Sequence, residues 1–388
     1  MPFKIKLIGE IALSDLLALA CLVSINVRSL IVKVPFLYRI TLLMLFLLFI
    51  QVVSDLYNQT EFINFVRGWA VYIFFFVNLF FLLFCIYNSK ERLFLLIIYL
   101  MFSKLFFGNG DLDFEIIAQD SNYFKVRFDG FITLFVLLIS SYFCKINRYN
   151  LAVINLVIFA FWFIFMDARS SGLMLIMCAF LLYIKCFNVQ FNWFKILLIF
   201  GSALPVLYML YIYYIELVLH HDFGGYNAQY QVRQMENIYN PFELIYYGRS
   251  EIAVLIQAGL DSILFGHGSW AEDPNHKYSI MKQAITGTNS DYKDYIIAHS
   301  VILGLFAYSG IFGLVVGIIL LLVVMTLSKS LFTTRYIDAS APIYLYFSVN
   351  FLWVYLFSPL SALRVSIPIA LAVLLSCHYL ITVGRTNE

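Results

Sequence analysis

Three side chains in this sequence sit where charge or acid–base chemistry is useful: Arg169 in FMDARSSGL, Arg249 in YYGRSEIAVLIQAGLDSILFGHGSW, and His299 in AHSVILGLFAYSGIFGLVVG. A guanidinium is a planar fork that makes paired hydrogen bonds to phosphate oxygens. Arg169 lies between two long apolar runs where only a tight turn is needed, so it suits a lipid diphosphate at headgroup level. The same place suits an arginine that snorkels to the interface and pairs with Asp167. Arg249 immediately precedes an apolar-periodic stretch, where the exposed N–H groups of a helix N-terminus add to its charge and favour an anion; a solvated loop arginine is the alternative. A neutral imidazole at His299 can take the proton of a sugar hydroxyl as it attacks an anomeric carbon, or it can be a structural interfacial residue. Arg233, Arg364 and His267, the last between Gly266 and Gly268, add further polar or positive groups for an anionic lipid substrate.

Metal and cofactor chemistry finds little support. Asp111 and Asp113 form a D-x-D, but acidic loops are common. His220 and His221 cannot share a metal from a helix, since neighbours there differ by about 100°. The six cysteines include no CxxC pair and no histidine at ligand spacing, so neither a zinc site nor a disulfide framework is expected. There is no Walker loop, no GxGxxG and no G-x-S-x-G elbow, which argues against an ATP-driven pump and a serine hydrolase. A net charge of +2, with basic residues scattered over short loops instead of forming a stripe, is too small to suggest a nucleic-acid partner, and none is expected.

The elements that must position these residues are membrane helices. The 388 residues are 62% hydrophobic, 19% aromatic and 12% charged, against about 25% charged in a soluble domain. Apolar runs near 34 to 53, 65 to 87, 92 to 107, 129 to 144, 150 to 166, 171 to 187, 195 to 218, 298 to 328, 341 to 358 and 363 to 383 approach or exceed the roughly 20 residues that cross a bilayer. An eleventh stretch, near 7 to 25, carries Glu10 and Asp15 and reads as a span, a re-entrant pair or a segment broken near Ser24 to Arg28. It does not read as a cleavable signal peptide, because no small-residue cleavage site follows. The expected fold class is all-α, a polytopic helical membrane protein with about 11 transmembrane segments forming one domain over residues 1 to 388.

With a cytoplasmic C-terminus, Arg28, Lys33, Lys90, Arg92, Lys145, Arg148, Lys185, Lys329, Arg335 and Arg385 all fall inside, as the positive-inside rule requires. Lys4 and Lys6 then conflict with an odd number of spans. The long polar interruption 220 to 296 falls outside. Within it, Ile252, Leu255, Ile256, Gly259, Leu260 and Ile263 share one helical face, which predicts an amphipathic helix near 250 to 265 lying over the bundle or on the membrane surface. The thirty or so apolar residues from Ile297 exceed one straight crossing, so a break is expected at Gly304 or at Ser309-Gly310, with Gly313 and Gly317 allowing close packing.

Taken together and in order, ARSSGLML opening a helix, Arg249 before a helix ending in GHGSW, and AHSVILGLFAYSGIFGLVVG leading into a span resemble the O-antigen polymerase (Wzy) and O-antigen ligase (WaaL) group of membrane glycosyltransferases, over roughly residues 165 to 320. The resemblance implies a bacterial inner-membrane enzyme, metal-independent and inverting, that needs no cofactor. Arg169 and Arg249 would bind the undecaprenyl diphosphate of a lipid-linked oligosaccharide, and His299 would be the base for the acceptor hydroxyl. Membrane lipid and a chain-length regulator protein would be further partners. Where the family has His-Asn, this chain has His299-Ser300. We favour the polymerase, with the ligase, which transfers glycan to the lipid A core, as the alternative. A lipid-oligosaccharide flippase is the rival of another class; it should show internal repeats and ionisable groups near mid-bilayer, and the sequence shows no repeat.

Overall fold

The computed structural model describes residues 4–6, 10–107, 124, 127–166, 168–187, 193–220, 225–286, 294–334 and 338–386. The chain is almost wholly helical. In order, the helices are α1 Leu13–Leu22, α2 Val27–Lys33, α3 Leu37–Tyr57, α4 Phe62–Ile86, α5 Lys90–Phe107, α6 Asp129–Lys145, α7 Tyr149–Phe165, α8 Arg169–Cys186, α9 Trp193–His220, α10 Gly225–Arg233, α11 Pro241–Gly248, α12 Ser250–Asp261, α13 Lys277–Thr286, α14 Val301–Thr333, α15 Ala341–Phe357 and α16 Ser366–Thr386. Among the described residues, five helices are long and apolar enough to cross a membrane, or six if α1 and α2, bent by 90°, form one broken span.

The helical fold class holds, with one short antiparallel pair ahead of the first helix, Lys4–Lys6 with Glu10–Ala12, Lys6 opposite Glu10. Of the readings open for the first apolar stretch, the structure has the broken one: the chain turns at Val23 and Ser24, and Asn26 caps α2 by accepting the Ser29 N–H.

Helix α7 shows why these segments suit hydrocarbon. Ala152, Leu156, Ala160 and Phe163 are buried, while Ile154, Ile158, Phe161 and Phe165 are 51 to 67% exposed on the other side. A helix apolar all round is at home only where its outer face meets lipid or protein. Between helices, contact then comes from packing rather than from exclusion of water. Gly172 illustrates it: a Cβ there would stand 2.7 Å from the Ala160 carbonyl, so glycine lets α8 close on α7.

The bundle has two unlike ends. At one, Lys185 donates to the carbonyls of Leu331, Phe332 and Thr334 (3.3, 3.1 and 2.7 Å), closing the end of α14. A cation suits a helix C-terminus, whose last carbonyls lack intrahelical partners. The other end carries the connection between α9 and α14. The amphipathic helix there ends at Asp261, four residues before the predicted 265, and α10, α11 and α13 are helices that the apolar pattern did not mark. Inside α14 the break falls at Gly310, with φ 65° and ψ −159°. A Cβ there would meet the Leu264 carbonyl oxygen at 2.3 Å. The Ala307 and Tyr308 carbonyls, freed by the break, accept the N–H groups of His267 and Gly268 at 2.9 and 3.0 Å. The GHGS segment is thus seated in the kink of a long helix.

Candidate functional site

Arg169 is the first residue of α8. The preceding turn is tied by Ala168 N–H to the Phe163 carbonyl (2.8 Å), and Ser171 donates to the Asp129 carboxylate (2.7 Å). These contacts, with Gly172, aim the guanidinium toward α9, where it donates to the Tyr214 hydroxyl at 2.8 Å. Arg249 is the joint between α11 and α12, with φ −140° and ψ 40°. Its guanidinium lies over Trp353 and Phe357 of α15, at 5.7 and 5.1 Å from the ring centroids, and donates to the Phe357 carbonyl at 3.5 Å. His299 ends an extended segment, and Ser300 after it caps α14 by accepting the Leu303 N–H at 3.3 Å. Ser300 is therefore a helix cap.

Arg249 is the electrostatic link between the other two, since its charge acts on His299 and the charge of Arg169 acts on it. Burial lowers the Arg249 pKa, and the charge of Arg169 lowers it further, against the pull of Glu251. Burial likewise lowers the His299 pKa; Glu251 opposes this, while Lys282 and Arg249 add to it. Glu251 pairs with Lys282 at 2.8 Å. Burial works against its charge, yet the Lys282 hydrogen bond and the positive neighbours, His299 included, keep its carboxyl below the ordinary value. The result is a site of two arginines, a lysine–glutamate pair and an imidazole biased toward the neutral form, which makes no hydrogen bond among the described residues. Such a site can hold an anion and accept a proton.

The other candidates fall elsewhere. Arg233 is exposed at the end of α10. Arg364 is pinned by Asp15, which accepts from its Nε at 3.1 Å and again from its terminal nitrogen, and its plane covers Phe74 at 4.7 Å. His267 Nε2 lies 2.9 Å from the Ala258 carbonyl oxygen and 3.3 Å from the Tyr278 hydroxyl, holding the loop to α12. Asp111, Asp113, Asp167 and His221 lie outside the described residues. Among the described residues no group of three His, Cys, Asp or Glu is placed to hold a metal ion.

Sequence reasoning did not single out Lys282, Tyr214, Trp353 or Phe357 for a role, because each reaches the site only through packing. It also passed over Asp55. This buried carboxylate in α3 accepts from Gln51 (3.2 Å), Thr60 (3.2 Å), Trp69 (2.8 Å) and both the N–H and hydroxyl of Ser269 (2.5 and 2.9 Å). Asn58 Nδ2 adds a bond to the Gly266 carbonyl at 3.1 Å and Ser54 one to that of Tyr308 at 2.7 Å. A polar row at 51, 54, 55 and 58 within an apolar run was the available signal, since polar groups at such depth must find partners. No family model, curated protein or solved structure matches this chain.

Proposed function

We propose that this chain is a multi-pass enzyme of the bacterial inner membrane that polymerises undecaprenyl-diphosphate-linked oligosaccharide repeat units, an O-antigen polymerase. In this reading the chain crosses the membrane about 11 times, and residues 220 to 296 face the periplasm. The observation that supports it is that Arg249 lies within electrostatic reach of both Arg169 and His299, each far from it in sequence, at the loop end of the bundle.

The chemistry follows from those groups. The acceptor hydroxyl oxygen attacks the anomeric carbon of the donor, the bond from that carbon to the diphosphate oxygen breaks, and the configuration inverts. Arg169 and Arg249 take up the negative charge gathering on the departing diphosphate. His299 takes the hydroxyl proton, and its lowered pKa keeps it neutral and ready to accept. Because the sugar arrives activated on its lipid and two guanidiniums receive the leaving group, the step calls on no metal and no nucleotide. A chain-length regulator would set when elongation stops.

The test is a gel of lipopolysaccharide from a strain lacking the gene. The expected pattern is core bearing a single repeat unit, with the ladder restored on complementation. Core alone, with polymer accumulating on the lipid carrier, would assign the ligase instead, and an unchanged ladder would rule out both. A reporter fused near Asn275 that is active in the cytoplasm would overturn the topology.

A further inference from the structure

Two short extended segments lie side by side next to the site. Residues 271–273 and 294–296 run antiparallel, with Glu272 opposite Tyr295; the Asp273 N–H donates to the Asp294 carbonyl at 2.6 Å and the Ile296 N–H to the Ala271 carbonyl at 2.9 Å. Side chains of extended backbone alternate between faces. Ala271, Asp273, Ile296 and Ala298 are accordingly buried, while Glu272, Tyr295 and Ile297 are exposed; Trp270, in the turn just before, is exposed as well. His299 is next in the outward series. One face of this ribbon therefore bears aromatic rings at one end and the proposed base at the other, Tyr295 and His299 being about 13 Å apart at about 3.3 Å per residue.

Trp270 is held in a conformation that bulky residues avoid, with φ 50°. The surroundings enforce it. Ser269 gives both its N–H and its hydroxyl to Asp55, and Gly68 leaves room for it, since a Cβ there would lie 2.0 Å from the serine oxygen. Arg67 covers the Trp270 ring at 5.8 Å, and Tyr295 meets it edge-on at 6.2 Å. Even so, Trp270 and Tyr295 stay 44% and 37% exposed. Rigid rings that keep open surface are good anchors, because little side-chain freedom is lost on binding. Their rim is polar, with Glu272 exposed opposite Tyr295 and Arg67 over Trp270. Apolar faces edged by hydrogen-bonding groups match a pyranose, with its C–H faces and hydroxyl edge.

We propose that this face is a glycan-binding track: Trp270 and Tyr295 stack on a sugar ring of an oligosaccharide whose reacting hydroxyl lies at His299. Asp55 is the positioning residue that fixes the tryptophan. The track rests on the reading of the chain as a glycan polymerase.

The test uses the full-length protein in detergent, with calorimetric titration of lipid-free oligosaccharide released by mild acid from the producing strain's lipid-linked pool. Trp270→Asn removes the ring and suits the left-handed backbone; Trp270→Tyr keeps a ring, and Tyr295→Ala is the second probe. The expected result is oligosaccharide binding about tenfold weaker in Trp270→Asn and Tyr295→Ala, largely recovered in Trp270→Tyr, with KM for the acceptor rising more than kcat falls. Equal binding by wild type and ringless variants, or no binding by wild type, overturns the track. So does a ring-dependent loss seen only with phosphatidylethanolamine–phosphatidylglycerol vesicles, which would make the rings a membrane anchor. Ring-dependent binding by a protein that never polymerises would sink the proposed enzyme and leave the track standing.

Discussion

Arg249 and Arg364 are both partly buried, both lie over aromatic rings, and both were sequence candidates for holding an anionic lipid group. Their surroundings separate them. Arg364 is neutralised by Asp15, and Asn78 ties the pair down by donating to the Asp15 carboxylate at 3.1 Å and to the Arg364 carbonyl at 2.7 Å. Arg249 makes no ion pair among the described residues; its hydrogen bond to the Phe357 carbonyl is long at 3.5 Å, and a second arginine stands nearby. A paired cation clamps helices together, whereas a cation beside another cation, its guanidinium only partly used, is suited to an anion from outside.

The largest effect should come from breaking the second arrangement. Arg249→Ala should lower polymerisation by about 10²- to 10³-fold, the scale seen when one donor to a developing anion is lost, while unfolding in detergent stays near wild type. Lys should restore only part, since it lacks the fork. An Ala variant of full activity at normal protein level would remove diphosphate binding from this position.

Arg364→Ala should do the reverse. It strands the buried Asp15 carboxylate and should cost about 3–5 kcal/mol of stability, visible as a large drop in unfolding temperature. Replacing both partners with Met and Leu should recover much of the loss. If the single variant is instead stable and inactive, Arg364 belongs to the substrate site.

The smallest effect sharpens the chemistry. In the proposed reaction the neutral imidazole is the reactive form, so the rate should fall as pH drops through the His299 pKa, which burial and neighbouring cations hold below its ordinary value. Glu251 is the group pulling that pKa up. Glu251→Gln should move the acid limb of kcat/KM to lower pH, and Lys282→Met should move it to higher pH. An acid limb unmoved by either would mean that His299 is not the titrating base.

Helices were the legible part of the fold. The apolar run read near 150 to 166 is Tyr149–Phe165, the one near 129 to 144 is Asp129–Lys145, and the break read at Ser309-Gly310 falls at Gly310. Length, apolarity and glycine act locally, so they can be read residue by residue. The helices Gly225–Arg233 and Lys277–Thr286 were not legible, being short and polar, with little intrinsic tendency to form without tertiary support. At the site, Arg169, Arg249 and His299 stood out by chemical type at segment ends. Asp55 was hidden because a carboxylate inside an apolar run declares a need for partners without saying who they are.

The sequence by itself determined that this chain is built from long apolar helices and that its chemistry-bearing residues gather at their ends, because burial of charge in hydrocarbon is too costly to be placed at random. Only the tertiary structure decided what each charge does. Asp15 and Arg364 are 349 positions apart, and Asp55 and Ser269 are 214 apart. Whether a cation is spent on a carboxylate or left to hold an anion depends on such long-range neighbours, and electrostatic energy depends on distance in space, not along the chain.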